Sequence, residues 1–153
     1  MTSPTSPGVY RAPMRSRDDD VPDGPAVDRA LSLGLCGLGG RLEGSPDALE
    51  DAVSLARRQH GDRLAQRIGR FAAVPDGTEV WTRDVDGLYW RGELAGPWHY
   101  DARPDAAAVD LVHVRTCRWA DSPLEEPSVP DAVRASFARG GRNWQRIRAA
   151  TPR

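Results

Sequence analysis

Between residues 78 and 119 the chain alternates apolar and polar side chains three times over, and this pattern constrains the fold more than anything else in the sequence. "TEVWTRD" (78–84), "GLYWRGELAG" (87–96) and "VDLVHVRTCRW" (109–119) are rich in β-branched and aromatic residues at period two. They predict three strands. "DVDG" (84–87) has the turn chemistry of a hairpin joining the first two, and "PWHYDARPDAAA" (97–108) connects the second to the third. Upstream, Leu31, Leu33 and Leu35 of "RALSLGL" (29–35) also alternate, which reads as a half-buried strand. "CGLGGRLEG" follows it. Gly37, Gly39 and Gly40 have neither dinucleotide-binding nor P-loop spacing, so this reads as a tight turn leaving a strand.

Helical signals flank the strands. "SPDALEDAVSLARRQHG" has Ser45 as a candidate N-cap, Pro46 at a first helical position, and Asp47 and Glu50 where the helix dipole favours acids. Leu49, Ala52, Val53 and Ala56 form its apolar stripe, and Gly61 ends it. A second helix over 62–72 buries Leu64, Ile68 and Phe71. "VPDAVRASFARGG" and "RNWQRIRAA" read as a helix, a glycine break and a short helix. Residues 1–27, rich in Pro, Ser, Asp and Gly, read as a disordered tail. The expectation is one α+β domain over 28–149, a small mixed β-barrel with helices packed on it, and a short tail at 150–153.

Composition excludes several classes of function. No apolar run is long enough to span a membrane, and the N-terminus has no apolar h-region, so a cytoplasmic protein is expected. Cys36 and Cys117 are too few for a disulfide framework. All 21 basic residues are Arg, which removes P-loop, Schiff-base and lysine-dependent nuclease chemistry. His113 and Cys117 share a strand face but lie about 13 Å apart at ~3.3 Å per residue, too far for one metal or a Cys–His couple. The acids Asp84, Asp86, Asp101, Asp105 and Asp110 cluster in and near turns, where Asp serves its own backbone. No nucleophile elbow or zinc spacing is present. The reading is a non-enzyme with no cofactor and no metal; a site assembled from His99, His113 and nearby Asp residues is the catalytic alternative.

The net charge is −1, yet from Asp131 to Arg153 six Arg stand against one acid. A basic end on a near-neutral chain suits a phosphate backbone or a solvated helix face. In 88–94, Leu88, Trp90, Gly92 and Leu94 share the side expected to face the core, with Tyr89, Arg91 and Glu93 opposite. In the third strand His113, Arg115, Cys117 and Trp119 share a face whose polarity suits a groove floor, opposite Val112 and Val114.

The glycine-rich turn of "LSLGLCGLGGRL", followed by "EVWTRDVDGLYWRGELAGPWHYD" and "VHVRTCRW", resembles the EVE-like domain, a PUA-like barrel found in modification-dependent restriction systems. Thr78–Thr82, Gly92–Tyr100 and His113–Trp119 carry the likeness, which extends over about residues 29–148. The pattern departs at Leu35 and Cys36, where such domains often carry a Trp. The resemblance implies recognition of a modified or flipped base by stacking and edge hydrogen bonds. It places Trp81, Tyr100, His113, Arg115 and Trp119 near the base pocket. Arg139, Arg142, Arg146 and Arg148 would hold phosphates, with Asn143 offering an amide beside them. It further implies nucleic acid as partner, DNA ahead of RNA, and a separate nuclease or ATPase as effector, with no membrane partner. A protein-interaction adaptor using the same aromatic barrel face is the alternative.

Overall fold

The computed structural model describes residues 8–148 and is a mixed α+β fold. Six strands form one curled half-barrel sheet: β1 (Val9–Arg11), β2 (Leu35–Leu38), β3 (Glu79–Arg83), β4 (Tyr89–Tyr100), β5 (His113–Trp119) and β6 (Gln145–Ile147), in the order β2-β5-β4-β3-β1-β6. Among the described residues five α-helices pack around it: α1 (Pro25–Leu33), α2 (Leu49–His60), α3 (Asp62–Ala73), α4 (Pro104–Ala108) and α5 (Asp131–Ala138).

The central meander follows the period-two pattern. β3 and β4 are antiparallel with Thr82 opposite Trp90, joined through the Asp84 turn, and β4 pairs antiparallel with β5. A bulge between Ala95 and His99 lets β4 run on to Tyr100, so residues 97–100 of the expected connection are strand. α2 and α3 occupy the places the sequence assigns them. Ala52, Ala56, Ile68 and Phe71 are buried, and Gly61 separates the helices with φ +104°. The first of them starts later than Ser45 predicts, at Leu49 after Ala48.

Three expectations are corrected. Residues 8–27 of the supposed disordered tail are folded: β1 sits inside the sheet, parallel to β3 and antiparallel to β6, with Val9 opposite both Glu79 and Ile147. Residues 1–7, and the 150–153 tail, lie outside the described residues. The alternating Leu31, Leu33 and Leu35 are not one strand. The buried positions are Ala26, Val27 and Ala30, a helical spacing begun by Pro25 and closed by Gly34 at φ +68°, and β2 follows only from Leu35. Finally, Gln145–Ile147 is strand β6, not helix, because β1 offers it a partner edge.

Two apolar clusters result. The larger lies between the sheet and helices α1–α3 and holds Ile68, Phe71, Val80, Leu94, Leu111, Val114 and Cys117. The smaller lies under α5 and holds Trp81, Tyr89, Val129, Val133 and Ile147. In 88–94, Gly92 and Leu94 are buried and Arg91 is exposed as expected, but because α5 covers the other side at that end, Tyr89 is 2% exposed against the edge of Phe137, while Trp90 is only half-buried.

Candidate functional site: an arginine-lined groove at the barrel seam

α3 carries Arg63, Arg67 and Arg70 at the i, i+4, i+7 spacing that places three side chains on one stripe. Each precedes a member of the apolar stripe, Leu64, Ile68 or Phe71, so the arginines border the packed face. That border meets two other parts of the chain. One is the end of β2 with Gly39 and Gly40; the other is the approach to β6, Arg142 to Trp144. β2 and β6 are the two outer strands of the curled sheet, so these elements meet at its open seam.

Two cavities open there. The first, about 340 Å³, is lined by Arg15, Arg17, the Gly39–Gly40 turn, the start of α3, Asp110 and the 142–144 segment. The second, about 400 Å³, is lined by Tyr10, Arg67, Arg70, Gln145, Arg146 and Arg148. Arg67, Asn143 and Trp144 line both. Volumes of this size suit a small organic group.

The wall between them is closely packed. Trp144, 6% exposed, stacks on Tyr10 with centroids 4.2 Å apart and planes at 3°, and meets Phe71 edge-on at 5.4 Å. Among the described residues its indole Nε1–H has no partner. The segment before it is pinned by the buried guanidinium of Arg11, which donates to the carbonyls of Ser136 and Gly140 at 2.7 Å and of Asn143 at 3.3 Å.

The groove is predominantly cationic, with Asp62 and Asp110 the acids in its lining. Among the described residues Arg63, Arg67, Arg70 and Arg146 have no carboxylate within 4.0 Å. Burial first, and then the charges of Arg17, Arg70 and Arg63, lower the pKa of Arg67. Arg142 is anchored by Asp19 at 3.0 Å, and Arg17 donates to Asn143 Oδ1 at 2.9 Å. An unpaired cluster of guanidinium groups around a concavity attracts multivalent anions, which the forked donors grip in pairs.

Of the residues assigned to phosphates from the sequence, Arg142, Asn143, Arg146 and Arg148 line this groove. Arg139 does not; it is exposed at the end of α5. The five base-pocket candidates do not surround one cavity. Trp81, 2% exposed, belongs to the cluster under α5 and donates Nε1–H to Glu79 at 2.7 Å. The His113–Arg115–Cys117 row is buried packing and not a groove floor. His113 is fully buried: Trp98 Nε1–H donates to its Nδ1 at 3.3 Å, so its Nε2–H donates to the Gly40 carbonyl at 2.9 Å. Burial lowers its pKa to about 4. Arg115 spends its guanidinium on the carbonyls of Phe71, Val74 and Gly96 and on Asp76. Tyr100 hydrogen-bonds Leu42 and touches His113 edge-on at 5.5 Å. Trp119 donates to the Leu35 carbonyl and borders a separate hollow with Trp90, Leu31 and Leu33.

Two groups of groove residues were missed from the sequence. Arg15 and Arg17 fell in the stretch read as disordered. Arg63, Arg67 and Arg70 left a legible signal, the i, i+4, i+7 arginine stripe of "RLAQRIGR", beside the apolar stripe of the same helix.

Among the described residues, no three His, Cys, Asp or Glu side chains stand close enough to hold a metal ion, and no helix is long and apolar enough to cross a membrane. Fold and site together define an α+β half-barrel with a cationic groove along its seam. No protein-family model, curated protein or solved structure matches the chain.

Proposed function

We propose that this chain is a non-catalytic nucleic-acid-binding module of the EVE-like, PUA-like kind, in which the seam groove holds the phosphate backbone and the 340 Å³ cavity at its end receives an extruded base. The observation that carries this reading is the line of Arg63, Arg67, Arg70 and Arg146, without carboxylate partners among the described residues, along two adjoining cavities of a chain whose net charge is −1. Such segregation favours a polyanion over a generic acidic surface. Extruding a base costs a few kcal/mol, roughly what a snug cavity and edge hydrogen bonds return. Phosphate contacts then provide most of the affinity. A base modification is the selected feature and DNA the preferred polymer, with a nuclease or ATPase as separate effector.

Binding of short oligonucleotides across a salt series tests this. Affinity should fall log-linearly with salt, and Arg67→Ala with Arg70→Ala should flatten the slope by about 0.7 per lost contact on a single strand. A flat slope in the parent chain would exclude the reading.

One observation favours a protein-interaction adaptor instead: Leu33 is 49% exposed beside the half-buried Trp90 and Trp119, around the hollow on the α1 side. A partner seated there would bind with little salt dependence and be insensitive to the α3 arginines.

A further inference from the structure

Within the arginine-rich first cavity stands a carboxylate that repels phosphate. Asp110, 7% exposed, lines it; the other acid in the lining, Asp62, is an exposed partner of Arg57 at 3.2 Å. Asp110 is held with unusual care for a turn residue. Its backbone is left-handed, φ +51°, one of only two non-glycine residues with positive φ among those described. Its Oδ1 accepts the Gly40 N–H at 2.9 Å and its Oδ2 accepts the Ser16 hydroxyl at 2.6 Å, with the Arg41 Nε 3.9 Å from Oδ1. The glycine turn is shaped around it: a Cβ on Gly39 would lie 2.6 Å from Asp110 Oδ2, and one on Gly40 2.6 Å from Leu64 Cδ2. Gly40 is held at both ends, its N–H by Asp110 and its carbonyl by His113.

An ionised carboxylate has about four acceptor positions; with Arg41 beside Oδ1, the two short bonds leave an acceptor position on Oδ2. A structural role alone is served by those two bonds. Placement in the cavity adds an acceptor-only group among donors, which selects against a phosphate or a keto edge and for an N–H.

We propose that Asp110 sets the base specificity of this cavity by accepting a hydrogen bond from the exocyclic amine of a cytosine-type base. The inference rests on the nucleic-acid reading above. Carboxylates accept from the N4 amine of cytosine, whereas thymine presents an oxygen at the same position. The arginines hold the backbone outside; Asp110 reads the edge inside.

The test uses the full chain with single-stranded oligodeoxycytidine and oligodeoxythymidine of equal length, at one salt concentration and across a series. The parent chain should prefer oligodeoxycytidine by about ten-fold. Asp110→Asn keeps an acceptor for Gly40 but turns a donor toward the cavity or Ser16; it should abolish the preference and leave the salt slope unchanged. Ser16→Ala removes one bond to Asp110 and keeps the charge, so the preference should survive. Equal, salt-dependent binding of both oligonucleotides by the parent chain would overturn the specificity role and leave the backbone reading standing. So would an Asp110→Asn variant weakened equally toward both. No salt-dependent binding of either would overturn both.

Discussion

At the scale of single residues, two buried ionisable groups, His113 and Asp101, both lose stabilisation on acidification, but in separate pH windows. His113 is neutral in the folded chain, its pKa lowered to about 4 chiefly by burial, against 6.5 for an ordinary His. The unfolded chain binds the extra proton first. The stabilisation by neutral His113 is therefore complete above about pH 6.5 and is lost as the pH falls toward 4, by an amount on the order of 3 kcal/mol. Asp101 gives way later. Its hydrogen bonds from Arg103, with Arg29 assisting, hold its pKa at about 2, so its contribution is full above its ordinary 3.8 and is lost only below that. Urea midpoints followed from neutral pH to about pH 4.5 should thus fall through the His113 window alone. His113→Gln, which still offers an N–H to the Gly40 carbonyl, should flatten that fall. An unchanged fall in the variant would assign it to other groups. Protonation keeps the Nε2–H donation to Gly40 and removes the Nδ1 acceptor that Trp98 uses, so the same window should loosen Trp98 before the rim of the first cavity.

At the scale of elements, the β2–β5 pairing fixes that rim, and glycine makes the pairing possible. Gly37 lies opposite Val114, and a Cβ there would press on the His113 carbonyl oxygen and stand 2.9 Å from Val114 Cγ1. Backbone cannot yield without parting the strands, so Gly37→Ala should destabilise by about 2 kcal/mol or more. Gly69, inside α3 with nothing within 4 Å of an added Cβ, should respond in the opposite sense, Gly69→Ala stabilising by up to about 1 kcal/mol. Thermal unfolding of the pair checks both signs; a destabilised Gly69→Ala would mean that this glycine serves something other than the helix. The meander β3–β4–β5 and helices α2 and α3 were legible because each carries a long, unambiguous period. The failures have two causes. β1 and β6 are three residues each, too short for periodicity; β1 is held by pairing with β3, and β6 by pairing with β1. In α1 the leucines alternate by coincidence, while the buried positions are small Ala and Val that no hydrophobic count emphasises.

At the scale of the whole molecule, those short strands decide where the groove lies, which is why the site was only half legible. The C-terminal arginines were visible as a charge excess, but their meeting with α3 and with Arg15 and Arg17 depends on β1 drawing the N-terminal segment into the sheet beside β6. The aromatics misled for a related reason. An aromatic at a strand position reads alike whether it floors a groove or fills a core, and the curled sheet puts Trp81 under α5, far in character from the seam where Trp144 stands. This difference is measurable, because the five Trp residues report from different places. Trp144 lines both cavities and stacks on Tyr10 at the second. Oligonucleotide binding in the groove should therefore change the protein's Trp emission chiefly through Trp144. Trp144→Phe, which retains a ring against Tyr10 at a cost of about 1–2 kcal/mol, should lose most of that change while still binding. Trp81→Phe and Trp119→Phe should keep it. If the change instead survives in Trp144→Phe and vanishes in Trp119→Phe, the ligand sits against the hollow of Leu31, Leu33 and Trp90, and the arginine groove is not the binding surface.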